Sequence, residues 1–205
     1  MHKEILTKPQ KKLLPIIKEL SANFYLVGGT AIALHIGHRE SIDFDLFTYS
    51  KFSNLKIRNL LDKRVKISKT LINELDQYTV MVNGVKITCL CYPFKVKSNI
   101  KPNDIIFMPD LLALAAMKAY ALNRRAKWKD YVDLYFILKD YHSLEEIIKK
   151  AESIFKKEFS RKNFLSALSY FKDIDYSEKI NYLPGFEVSN EKVKKTLKTF
   201  SLSQV

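Results

Sequence analysis

The stretch FYLVGGTAIALHIGHRESIDFDLF, residues 24–47, decides the fold. It opens with an apolar run, residues 24–27, that predicts a short buried strand. Gly28 and Gly29 end that run, and residues 30–36 predict a helix that starts directly after the glycines. Residues 42–47 then alternate apolar and acidic or aromatic side chains with period two, which predicts a second strand. The stretch therefore predicts a strand, a glycine turn, a helix and an acidic strand in close succession.

Asp43 and Asp45 are the two acids of the second strand. We expect Ile42, Phe44 and Leu46 to face the core, so that both carboxylates project from the opposite face. Side chains two residues apart on a strand lie roughly 7 Å from each other. Two carboxylates at that spacing can bind one or two divalent cations, as phosphoryl-transfer sites require. Acid pairs also occur on strand faces that bind no metal, so the pair alone leaves both interpretations open.

Gly28, Gly29 and Thr30 lie where a strand turns into a helix. Glycines let the backbone approach a phosphate closely, and a helix N-terminus presents free N–H groups and a positive dipole end. The sequence contains neither a Walker loop nor the dinucleotide-binding glycine fingerprint. The glycines therefore indicate either a phosphate site or an ordinary tight turn.

The rest of the chain predicts an α+β protein that divides into residues 1–108 and 109–205. A helix over 53–65 has Ser53 as its cap and Leu55, Leu60 and Leu61 facing inward. Asn83-Gly84 is typical of a type I′ hairpin turn between two strands. The remaining predicted elements are a helix at 11–20, strands at 66–72, 77–82 and 85–92, and helices at 110–125, 128–140, 143–157, 160–171 and 189–200.

Lys118 and Asp133 are charged residues in predicted helices whose neighbours are almost all apolar. A buried ammonium or carboxylate needs a partner, and Lys118, Arg124 and Arg125 are the candidates for Asp133. One interpretation is an ion pair that locks two helices together. The other is a cationic site for a triphosphate, and the two do not exclude each other.

The chain has 205 residues and a net charge of +13, which suits a polyanionic partner or a solubilising surface equally. No apolar run is long enough to cross a bilayer, and no secretory signal is visible, so we expect a cytoplasmic protein. Cys89 and Cys91 predict reduced thiols, without zinc-ligand spacing. The densest basic stretch comprises Lys51, Lys56, Arg58, Lys63, Arg64, Lys66 and Lys69.

Three further residues have two interpretations each. His35 is expected to be a core histidine, whereas His38 suits either a phosphate contact or a loop surface. Trp128, between Lys127 and Lys129, is expected to pack between helices rather than to stack on a base.

Three segments of the chain resemble a known family, one of them being residues 84–93. Residues 28–31 (GGTA) followed by 38–47 (HRESIDFDLF) look like motif I of the DNA polymerase beta-type nucleotidyltransferases. More narrowly, they are similar to the AbiEii/AbiGii toxin family. The similarity resumes over residues 110–138, at Lys118, Arg124-Arg125 and residues 129–134 (KDYVDL).

This resemblance implies a polymerase beta-like mixed sheet flanked by helices and followed by a C-terminal helical bundle. It implies transfer of a nucleoside monophosphate from a nucleoside triphosphate to an acceptor hydroxyl, and the toxin half of a toxin–antitoxin pair acting on tRNA. Asp43 and Asp45 would hold Mg²⁺ or Mn²⁺, with Lys118 and Asp133 also catalytic. The implied substrate-binding residues are Gly28, Gly29, Thr30, Arg39, Ser41, Arg124, Arg125 and Lys129.

One departure from the polymerase beta pattern concerns its third carboxylate. The outward face of the predicted hairpin carries Thr79, Met81, Lys86, Thr88 and Leu90, with no acid. Either a single metal ion held by Asp43 and Asp45, or the recruitment of a more distant acid, is therefore expected. Two alternatives follow, namely a nucleotidyltransferase that modifies a small molecule or a protein, and a non-catalytic RNA- or partner-binding protein on a degenerate nucleotidyltransferase fold.

Overall fold

The computed structural model of the chain describes residues 1–203, with the side chain of Asn103 excepted. Its backbone divides into two compact units, Met1–Asp110 and Leu111–Val205. The first unit contains the strands and the second is helical. No helix among the described residues is both long enough and apolar enough to cross a membrane.

The first unit begins with a helix whose start is defined by side chains. Thr7 caps the helix, and Gln10 completes a capping box by accepting a hydrogen bond from the Thr7 backbone. The regular elements of this unit are α1 (Lys8–Leu20), β1 (Tyr25–Val27), α2 (Gly28–Ile36), β2 (Phe44–Thr48), α3 (Asn54–Asp62), β3 (Ile67–Glu74), β4 (Gln77–Val82), β5 (Val85–Cys91), β6 (Ser98–Ile100) and β7 (Met108–Pro109).

Five strands form a mixed sheet in the order β1-β2-β5-β4-β3. β2 pairs with β1 antiparallel and with β5 parallel, which places the acidic strand inside the sheet. The register sets Asp45 beside Thr88 on β5 and beside Val27 on β1. The mixed α+β fold predicted from the sequence is confirmed.

The turn between β4 and β5 has the predicted geometry. Asn83 and Gly84 have φ angles of 51° and 77°, so both lie in the left-handed region. A type I′ turn requires positive φ at both central residues, and Asn-Gly meets that requirement at the lowest cost.

Two residues that were predicted to face inward are exposed in the structure. Ile42 is 46% exposed, because strand pairing begins only at Phe44 and the alternation rule does not extend to the residues before it. Leu55 is 65% exposed, because α3 begins at Asn54 and its inward face consists of Ile57 and Leu61, four residues apart. Phe44 and Leu46 are buried as expected.

The second unit is built from helices that pack on one another. α4 contacts α5, α6 and α7, and α8 contacts α5 and α7. The helices are α4 (Leu111–Leu122), α5 (Trp128–Asp140), α6 (Leu144–Phe155), α7 (Arg161–Ser169) and α8 (Asn190–Leu202).

Candidate functional site

The two acids of the first unit lie at the start of β2. Asp45 is the second residue of the strand, whereas Asp43 immediately precedes it, and both are half-buried. Asp43 forms an ion pair with Lys86 of β5, with 2.7 Å between Oδ2 and Nζ. Lys86 was one of the residues on the face where the sequence showed no third acid. The structure therefore places an ammonium group directly beside the acid pair.

The glycines at the start of α2 allow the backbone to approach the acid pair. Gly28 has a φ of +73°, and a Cβ built there would lie 2.2 Å from Asp45 Oδ2. A Cβ on Gly29 would lie 2.6 Å from Arg39 Nη2 and 3.0 Å from Ser41 Oγ. No side chain fits at either position without displacing these groups. The first turn of α2, with its free N–H groups and positive dipole end, is thus held against Asp45.

Thr30 and Ser41 are buried and hold the segment that leads into the acids. The Thr30 hydroxyl donates to the Asp43 carbonyl and lies 3.0 Å from Ser41 Oγ. Gln10 of α1 donates from Nε2 to the Ser41 carbonyl at 2.8 Å. These contacts fix the backbone of Asp43 from two helices.

Arg39 is 1% exposed, and its Nη1 donates to the Glu40 carbonyl at 2.9 Å. A guanidinium buried to this degree requires hydrogen-bond acceptors around it. His38 is also fully buried, so it is not a surface loop residue. His35 Nε2 lies 3.0 Å from the Pro109 carbonyl, and burial lowers the pKa of this histidine.

The two carboxylates at β2 could hold a divalent cation. No group of three or more His, Cys, Asp or Glu side chains that could hold a metal occurs within residues 1–203. Mg²⁺ is commonly held by one or two carboxylates together with substrate phosphates and water. Asp43 and Asp45 supply two such carboxylates, and Asp43 contacts the Lys86 ammonium.

The second unit contains a buried charge cluster. Lys118 is 7% exposed and contacts the Asp130 carboxylate and Asp133 Oδ2, the latter at 3.0 Å. Arg125 Nε lies 3.3 Å from Asp130 Oδ2. The sequence identified Lys118 as a candidate partner for Asp133 but missed Asp130. Its position three residues before Asp133 on α5 places both acids on one helix face, which was the available signal.

Arg124 and Lys129, also predicted to bind substrate, lie outside this cluster. Arg124 Nη2 contacts Glu158 at 3.1 Å, and its guanidinium lies 3.8 Å from the Tyr120 ring centroid. Lys129 Nζ contacts Glu178 at 2.7 Å. The predicted site residues therefore form two groups, one around Asp43 and Asp45 and one around Lys118. Arg124 and Lys129 belong to neither group.

Two remaining expectations concern Trp128 and the cysteines. Trp128 is buried, and its Nε1 donates to Asn190 Oδ1 at 3.0 Å, which agrees with packing between helices. Cys89 and Cys91 are free thiols, and burial raises the pKa of Cys89 to about 12.

The chain is similar to known proteins in sequence. Residues 16–89, which include both acids and the glycines, match the family described as Nucleotidyl transferase AbiEii toxin, Type IV TA system. An uncharacterized protein of Aquifex aeolicus (strain VF5) is 30% identical over 204 residues, covering 95% of this chain and 97% of that protein.

Two solved structures share the fold at low sequence identity. The nucleotidyltransferase toxin MenT4 from Mycobacterium tuberculosis aligns with a TM-score of 0.66 at 11% identity, over 94% of this chain and 82% of that one. JHP933 from Helicobacter pylori aligns with a TM-score of 0.60 at 15% identity, over 97% and 92% of the two chains.

Proposed function

Because this chain belongs to the AbiEii nucleotidyl transferase toxin family, we propose that it moves a nucleoside monophosphate from a nucleoside triphosphate to an acceptor hydroxyl. The acceptor oxygen attacks the α-phosphorus, the bond from that phosphorus to the bridging oxygen breaks, and pyrophosphate leaves. The hydroxyl proton passes to solvent or a nearby base. The observation that carries the proposal is the close approach of the Asp45 carboxylate to Gly28, the first residue of α2.

The first unit would bind the triphosphate at the N-terminus of α2. Backbone N–H groups at Gly28 and Gly29 can approach phosphate oxygens, and the helix dipole favours negative charge there. Thr30, Arg39 and Ser41 would shape this turn and the segment before β2, since all three are buried against it. Catalysis would then consist mainly of positioning and electrostatic stabilisation.

Asp43 and Asp45 would hold the divalent cation, Mg²⁺ or Mn²⁺. Such an ion, when bound, neutralises the negative charge of the phosphate groups and orients them. Lys86 would set the charge of Asp43 before the ion and the nucleotide arrive, because its ammonium already contacts that carboxylate.

Basic residues of the second unit would also bind the triphosphate. Lys118 would bind the triphosphate, with Asp130 and Asp133 fixing the position of its ammonium group. Arg125, which reaches the same cluster, would add positive charge. Arg124 and Lys129 would contribute only after leaving the acids that they contact here, Glu158 and Glu178.

For the acceptor we propose RNA, with the acceptor end of tRNA as the substrate to test. The basic stretch supports this choice, because all seven of its lysine and arginine residues are exposed.

We further propose that the protein acts in the cytoplasm and is counteracted by a cognate antitoxin, as the family description implies. The second candidate function is a non-catalytic RNA- or partner-binding protein, which the lack of an acid on the outward face of β4 and β5 favours.

The decisive experiment measures transfer of label from α-labelled triphosphates to tRNA with and without Mg²⁺. Asp43→Asn and Asp45→Asn should each lower the rate by at least about 100-fold, because several kcal/mol of charge stabilisation is lost. Asp76→Asn, at an exposed turn, is the matched control and should retain full activity. Undiminished transfer by either site variant, or RNA binding without transfer in the native protein, would refute the proposed reaction.

A further inference from the structure

A cavity of about 240 Å³ lies in the first unit behind the acidic strand. Phe44 of β2, between Asp43 and Asp45, contributes to its wall from the inward face of the strand. Leu26 of β1 and Ile17 of α1 complete this inner part. The cavity is thus separated by the strand itself from the face that carries the two carboxylates.

The size and lining of the cavity indicate the kind of ligand. Nine of the eleven residues that line the cavity are apolar, and the other two are exposed lysines. An engineered apolar cavity of about 150 Å³ binds benzene, whereas pockets for drug-sized ligands measure about 300–1,000 Å³. The volume here falls between these two cases. It suits an aliphatic chain of about six to ten carbons.

The charged residues at the cavity are both cations. Lys3 and Lys11 line it, both are exposed, and no acidic side chain is part of its lining. Within residues 1–203 neither lysine forms an ion pair. Glu4, next to Lys3, contacts His2 at 2.7 Å, and Asp104 lies 3.9 Å from Lys101. The apolar space therefore opens beside two positive charges that acids nearby do not neutralise.

We propose that this cavity binds a medium-chain aliphatic carboxylate. Its chain would lie against Leu26 and Phe44, and its carboxylate would contact Lys3 and Lys11. The apolar wall supplies most of the affinity, because each buried methylene is worth about a fourfold gain in binding. The two lysines select an anion over a neutral molecule of the same length. This site does not depend on the proposed nucleotidyl transfer.

The first test is isothermal titration calorimetry of the full chain with hexanoate, octanoate and decanoate, each below its micelle concentration. One site per chain should appear, with affinity rising about fourfold per methylene until the cavity is full. Octanol should bind at least about fivefold more weakly than octanoate, since it lacks the charge. Binding that does not depend on chain length, or absence of binding, would overturn the proposal.

Variants then locate the site. Lys3→Gln with Lys11→Gln should weaken octanoate about tenfold and leave octanol unchanged. Lys8→Gln with Lys12→Gln, which lie on α1 with Lys11 but do not line the cavity, should alter neither. Leu14→Trp should fill the cavity and abolish binding while the melting temperature is maintained. If Leu14→Trp does not fold, the lysine pairs decide alone. Equal octanoate affinity in both lysine pairs would overturn the proposal, because the carboxylate would then be bound elsewhere.

Discussion

Lys86 of β5 contacts Asp43, the residue before the neighbouring parallel strand β2, with their charged atoms 2.7 Å apart. Both side chains remain partly exposed, so the attraction is screened by solvent and the pair contributes little to stability. The main effect of this ion pair is on the charge of Asp43. The ammonium reduces the negative charge at Asp43, so Lys86 would compete with a divalent cation held there as proposed.

Replacing Lys86 by Met should therefore tighten binding of a divalent cation. Removing one positive charge a few ångströms from the ion should raise Mn²⁺ affinity about fivefold, equivalent to about 1 kcal/mol in a partly solvated site. Calorimetric titration of the protein with Mn²⁺ alone measures this effect without any enzymatic assay.

Lys69→Met provides the matched control, since Lys69 is an exposed lysine of β3, which is separated from β2 by two strands. Its Mn²⁺ affinity should equal that of the native chain. An affinity that falls in Lys86→Met, or that rises equally in both variants, would show that Lys86 does not oppose metal binding at Asp43.

At the scale of elements, the sequence predicted the five strands of the main sheet and the helices because their signals are local, whereas the short strands β6 and β7 were missed. The Asn83-Gly84 turn is confirmed, since positive φ at two successive residues has few sequence solutions. Ile42 was predicted wrongly, since alternation applies only where a strand is paired, and pairing depends on distant chain segments. The parallel pairing of β2 with β5 likewise joins segments about forty residues apart, which no local pattern encodes.

The same distinction applies to the candidate site. The acids and the glycines belong to one short stretch, so the sequence could group them, and the structure places Asp45 against Gly28. Asp130 was missed because its burial depends on how α4 and α5 pack. Glu178, the partner of Lys129, lies in an irregular segment whose position relative to α5 has no periodic signature.

Glu178 joins that irregular segment to the start of α5. Hydrogen bonds from Lys127 and Lys129 lower the pKa of this carboxyl to about 2. An unfolded glutamate titrates near about 4.3, so the folded state favours the charged form. The contacts of Glu178 with the two lysines therefore contribute their full stability above about pH 4.3. This contribution is lost as the pH falls toward about 2.

Glu178→Gln should lower the free energy of unfolding at pH 7 by no more than about 1 kcal/mol, because the side chains are partly exposed. The difference from the native chain should shrink between pH 4.5 and pH 2 and vanish below that. Urea unfolding at a series of pH values measures it, and a difference independent of pH would refute the assigned cause. Glu152→Gln, on the exposed face of α6, is a suitable control.

At the scale of the whole molecule, the net charge of +13 is divided among different uses. Lys118 and Arg125 neutralise buried acids, and Lys86 forms an ion pair with Asp43. Within the basic stretch, Arg58 contacts Asp62 and Arg64 contacts Glu19. The lysines of that stretch are exposed and form no ion pair within the described part of the chain, so they are the charges available to an external polyanion.

These lysines should determine how binding to RNA depends on salt. Each phosphate that a lysine neutralises releases counterions, which gives a slope of about −0.7 in log affinity against log salt for a single strand. Replacing Lys56, Lys63 and Lys66 by Gln should therefore weaken binding to single-stranded RNA and reduce the steepness of the salt dependence by about 2. Fluorescence anisotropy over a series of salt concentrations measures both quantities.

The triple replacement of Lys192, Lys195 and Lys198 by Gln on α8 removes the same charge from an exposed helix of the other unit. If net charge alone attracts RNA, both triple variants should lose affinity equally, because long-range attraction depends on total charge. If the basic stretch is the contact surface, only its variant should show the shallower slope, since counterions are released only where phosphates are bound. Equal slopes in the two variants would exclude this stretch as the RNA-binding surface.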